Sequence, residues 1–148
     1  LNQGVGADPP GRGALALGAL LAGYASGSTG IALHHAICQT IVRTAGTPHA
    51  ETNAVMLPHS ARLMVLRASG ALSDFAHALG DSSGDPEAAP ANLARLAARC
   101  GHTRLRTLGV DGQQLTTVAE AVAAHPLLRN TPDPPDEQEL LAVLRGAL

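Results

Sequence analysis

The sequence predicts an all-α domain. It is 148 residues long and 45% hydrophobic, yet only 1% aromatic, one Tyr and one Phe. A core of Leu, Ala, Val and Ile suits closely packed helices, because Ala and Leu carry the best helix propensities. Apolar residues recur at helical spacing, and no segment reads as a strand. The expected architecture is one compact domain of about seven to eight helices over residues 14–148, preceded by a flexible arm over residues 1–13. No Gly-rich phosphate loop follows a strand, so no Rossmann-like half is expected in this chain.

Taken in order, Leu1 to Gly13 carries Gly4, Gly6, Pro9, Pro10, Gly11 and Gly13 and is expected to hold no regular element. Ala14 to about Ser26 is apolar on nearly every face, which predicts a buried helix with Gly18 and Gly23 as close-contact positions. The run resembles a signal-peptide core, but Asp8, two prolines and a single Arg before it make a poor basic flank. It is also short of the roughly 20 residues needed to span a bilayer.

Ser28 or Thr29 is expected to cap a second helix to about Thr44, ended by Gly46. A third begins near His49 with Glu51 in its first turn, and Pro58 breaks or bends it. A further segment follows from Ser60 to about Arg67. Ser73-Asp74 caps a short helix, Phe75 to Leu79, and Gly80 to Pro90 is a loop. Ala91 to Cys100 is amphipathic, and Gly101 ends it. Leu105 to Val110 is a short apolar connector. Gln113 or Leu115 to Ala124 is a helix on Leu115, Val118, Ala119 and Val122. Pro126 to Pro135 crosses in an extended form, and Asp133 caps a last helix from Pro134 to Arg145.

Net charge is -2, and all ten basic residues are Arg, scattered without a run or interleaved aromatics. That pattern argues against a nucleic-acid surface. Cys38 and Cys100 are expected as reduced thiols of a cytoplasmic protein, Cys38 within the core. Tyr24 is also expected in the core. His77, His102 and His125 read as surface or turn residues.

The stretch GIALHHAICQTIVRTAGTPHAETNAVMLPHS, Gly30 to Ser60, holds four of the seven histidines. His34 and His35 are neighbours and point about 100° apart on a helix. His35 and His49 are separated by one helix end and a Thr-Pro turn, which can set an imidazole in one helix opposite one at the start of the next. Two imidazoles suit Zn or Fe(II), but a stable site wants a further ligand, and Glu51 is the only nearby carboxylate. The alternative is that these residues pack or hydrogen-bond at a helix junction. His59 is expected to cap or pack there.

Gly30, His34-His35, Pro48-His49-Ala50-Glu51-Thr52 and Leu57-Pro58-His59 together resemble the signature of the iron-containing alcohol dehydrogenases, most closely the maleylacetate reductases. Looser likeness extends through Leu105 to Leu108 and His125-Pro126 to Pro134. The resemblance implies the C-terminal helical domain of a dehydroquinate-synthase-like fold. It places His35 and His49 on two of four metal ligands, an incomplete set, since the Asp and first His belong to an earlier helix. It puts His34, Gln39, Glu51 and Asn53 on the substrate side. Two positions depart from the pattern: Gln39 stands where the family usually has His, and Asn53 where maleylacetate reductases usually have His.

Three functional readings follow. In the first, the chain is the substrate and metal side of a maleylacetate-reductase-like oxidoreductase. NAD(P) would then enter only with an N-terminal half, since hydride transfer needs the nicotinamide held against the substrate. Fe or Zn would sit at the incomplete His pair, and no cofactor is expected for the isolated chain. In the second, His35 and His49 perform cofactor-free acid/base chemistry on a small molecule, as an isomerase, lyase or cyclase. In the third, the domain is a non-catalytic binding or assembly module. The expected partners are a small-molecule ligand and either a nucleotide-binding half or a second copy covering the exposed interface, with no nucleic acid and no membrane.

Overall fold

A computed structural model describes residues 9–148. Among these are seven α-helices, three short 3-10 segments and no strand. The described chain falls into two units, one ending at Ile31 and one spanning Ala32–Leu148.

The first unit contains α1, Pro9–Thr29. The helix starts five residues before the expected Ala14, because prolines are tolerated in a first turn, where the missing N–H has no helical acceptor to lose. The expectation for residues 1–8 lies outside the described residues. The expected burial is overturned: Leu17, Leu20, Leu21 and Tyr24 are 56%, 69%, 58% and 76% exposed. A Cβ at Gly18 or Gly23 would meet nothing, so neither is a close-contact position. Apolarity identified a helix able to be covered, not its cover. No single described helix is long and apolar enough to cross a membrane.

In the second unit α2, Leu33–Ala45, and α3, His49–Leu63, pack against each other, and α3 also packs on α5, Ala88–Arg99. Ser28 and Thr29 do not cap α2. They end α1, donating back to the carbonyls of Tyr24 and Ala25, each at 2.9 Å. Gly46 does end α2, in the left-handed region at φ +67 with its N–H on the Val42 carbonyl at 2.9 Å. Pro58 does not break α3. The helix runs through it, since Val55, Met56 and Ser60 on either side are buried, and that packing outweighs the roughly 3 kcal/mol a mid-helix proline costs. Residues 64–67 are turns rather than a further helix.

α4 spans Ser69–Ala78, earlier and longer than expected, and Ser73 lies inside it, its hydroxyl donating to the Gly84 carbonyl at 2.8 Å. A 3-10 turn over Leu105–Leu108 buries Leu105 completely. α6, Leu115–Ala123, buries Leu115, Val118, Ala119 and Val122, the set its spacing predicts. Pro126–Asn130 forms a 3-10 turn, not an extended crossing. The last helix, α7, is Glu137–Ala147, capped by Asp136 rather than Asp133. Asp136 and Glu139 form a reciprocal capping box, their carboxylates accepting from each other's backbone N–H at 2.8 and 3.1 Å. The core joins Ile37 and Ile41 of α2, Val55 and Met56 of α3, Val118 and Val122 of α6, and Leu140 and Leu144 of α7.

Candidate functional site at the α2–α3 junction

The turn between α2 and α3 is held by buried hydroxyls. Thr52 donates to the Pro48 carbonyl at 2.6 Å and lies 2.8 Å from the Thr47 hydroxyl. This fixes the start of α3, which carries His49 at its first position, Glu51 in its first turn and Asn53 one turn on. His34 and His35 sit in the first turn of α2.

His34 bridges the two helices. Its Nε2 lies 2.9 Å from Asn53 Oδ1, and its Nδ1 lies 2.9 Å from Ser60 Oγ. Cys38, one turn along α2, places its sulfur 3.7 Å from Nε2. Burial pushes the His34 imidazole down to about 4, and the neighbouring His35 and His49 push the same way against the opposing Asn53 bond. The His35 ring stands edge-on to His34, centroids 5.9 Å apart and planes at 89°.

The other expected site residues spread around this bridge. His35, Gln39 and Glu51 are half-buried, and His49 is exposed. Asn53 also donates from Nδ2 to the His49 carbonyl at 2.6 Å. Among the described residues no three His, Cys, Asp or Glu side chains converge as metal ligands. His35 and His49 therefore do not make an iron site from this chain's described residues.

Ser60 was not anticipated. It lies seven residues after Asn53, on the same face of α3, but a helix read as interrupted at Pro58 hid that relation. Ser60 and His34 also border a largely apolar groove of about 250 Å³, walled by Leu33, Leu57, Met64 and Leu72. Cys38 is fully buried, as expected, and burial raises its thiol to about 12. His59 sits within α3, half-buried and packed beside Gly146 of α7. Its pKa is lowered by burial first and then by the positive charges of Arg104 and Arg62. Tyr24, expected in the core, is exposed. His125 accepts from the Leu127 N–H at 3.2 Å, capping a 3-10 turn.

A helical domain with an imidazole-lined helix junction defines its class here. The chain belongs to the Fe-containing alcohol dehydrogenase family, whose C-terminal part it matches over residues 3–148. It is 34% identical over 131 residues to a maleylacetate reductase of Rhizobium sp. (strain MTP-10005), covering 88% of this chain and 35% of that protein. It is 36% identical over 129 residues to the maleylacetate reductase of Burkholderia cepacia, covering 86% and 34%. The chain thus spans about a third of the length of the curated relatives it matches. Among solved structures, a 1,3-propanediol oxidoreductase superposes with TM-score 0.74 at 29% identity, covering 79% of this chain and 32% of that one. The Rhizobium maleylacetate reductase superposes with TM-score 0.69 at 32% identity, covering 80% and 32%. The fold is that of the C-terminal helical domain of these enzymes.

Proposed function

We propose that this domain forms the substrate side of a maleylacetate-reductase-like oxidoreductase, with the nicotinamide cofactor held by a nucleotide-binding half. The observation that carries this reading is the α2–α3 junction. His35 lies in the first turn of α2 and His49 opens α3 after a tightly hydrogen-bonded turn, and Pro48-His49-Ala50-Glu51-Thr52 resembles the maleylacetate reductase signature. The two imidazoles are the donors this domain offers to a metal, and the other half supplies the remaining ligands. Positioning of substrate against the nicotinamide is the protein's share of such a reaction.

The test combines the chain with the N-terminal half of the Rhizobium maleylacetate reductase and follows consumption of reduced nicotinamide with maleylacetate or with 3-hydroxypropanal, the aldehyde related to 1,3-propanediol. Turnover of maleylacetate in preference to the aldehyde is the expected result. Preference for the aldehyde would move the chain to the alcohol dehydrogenase side of the family. An assembled pair that turns over neither substrate would refute the proposal.

A further inference from the structure

The hydrogen bonds around His34 have only one consistent direction when its ring is neutral. The His49 carbonyl can only accept, so the Asn53 group 2.6 Å from it is the amide NH₂. That orientation turns Asn53 Oδ1, an acceptor, toward His34 Nε2 at 2.9 Å, and Nε2 must carry the proton. In the neutral ring Nδ1 is then a lone pair, which the Ser60 hydroxyl fills from 2.9 Å. The same hydroxyl lies slightly farther from the carbonyls of Met56 and Leu57, each 3.1 Å away.

We propose that Asn53 is a positioning residue: it fixes His34 as the Nε2–H tautomer and thereby ties the backbone of His49 to the residue that precedes His35. The connection runs from the His49 carbonyl through both ends of the Asn53 carboxamide into the His34 ring. From there it passes through one peptide bond to His35. A carboxamide suits this bridge because it donates at one end and accepts at the other, which a carboxylate or an alkyl group does not. The amide at position 53 is thus a built connector between the two helices. Its role in aligning His35 with His49 rests on the reading that this pair serves one site; the tautomer of His34 does not.

The tautomer is read directly from ring-nitrogen shifts and long-range proton–nitrogen correlations in isotope-labelled chain at neutral pH, with no substrate or cofactor present. The expected wild-type pattern for His34 is Nε2–H. A predominant Nδ1–H form, or rapid averaging between forms, would overturn the proposal. In Asn53→Leu the fixed Nε2–H pattern is expected to be lost and the ring shifts of His35 and His49 to move. Asn53→Asp, which keeps the acceptor, is expected to retain the Nε2–H form. Arg67→Ala, in the turn that follows α3, serves as a control for general loosening and should leave all three rings unshifted. His35 and His49 shifts unchanged by Asn53→Leu would refute the positioning role even if the tautomer assignment held.

Discussion

The amide of Leu33 donates to the hydroxyl of Thr131 at 3.0 Å, in a buried bond between residues 98 apart in sequence. Leu33 opens α2, and the preceding Ala32 gives no side-chain cap. The first turn of the helix that carries His34 and His35 is therefore capped from the segment just before α7.

Replacing Thr131 with Val keeps the shape and removes the acceptor. The loss should be about 1 kcal/mol, the usual worth of a helix cap. Urea denaturation of Thr131→Val against the wild type checks this, and an unchanged midpoint would show that the bond contributes nothing.

Arg67 links the end of α3 to the start of α7. Its Nε donates to the Asp133 carbonyl at 2.7 Å, Nη1 to the Leu63 carbonyl at 3.0 Å, and Nη2 to Glu139 at 2.7 and 2.9 Å. The side chain is only 13% exposed, whereas Glu139 is 41% exposed. The carbonyl bonds therefore matter more than the screened ion pair. Arg67→Ala should lower the thermal midpoint more than Glu139→Gln does, as followed by circular dichroism.

His59 gives a pH dependence of defined sign. Its folded pKa lies below the ordinary value because burial, Arg104 and Arg62 all disfavour the charged ring, and α7 passes over it at Gly146. Its surroundings also include Arg67, Glu87, Glu139 and His102. The unfolded chain binds the extra proton first. Stability from the neutral ring is thus present above the unfolded value of about 6.5 and lost as pH falls toward the folded one. The thermal midpoint should drop on acidification through this range, and less steeply in His59→Gln.

Much of this structure was legible because its signals are local. Gly46 ends α2 through its left-handed backbone, and Leu115, Val118, Ala119 and Val122 share one face of α6. The errors came where two local signals competed or tertiary packing intervened. Asp133 was expected as the cap, but the box is completed by Asp136, which has Glu139 three residues on. Ser28 and Thr29 are good capping residues that instead bond back into α1. At Pro58 packing overrode the proline rule, and with it went the relation between Asn53 and Ser60. The histidines of the candidate site were visible in their spacing. Their hydrogen-bonded bridge was not, because it depends on how α2 meets α3.

His35 and His49 are expected to act together at this junction. The direct measurement is maleylacetate reduction by the chain assembled with its nucleotide-binding counterpart, for wild type, His35→Ala and His49→Ala, with assembly checked by size-exclusion chromatography. Each substitution alone should remove most of the activity while assembly is kept. The double variant should then be little worse than either single one, because residues acting as a unit are non-additive. Activity that survives both substitutions in an assembled enzyme would contradict that joint action.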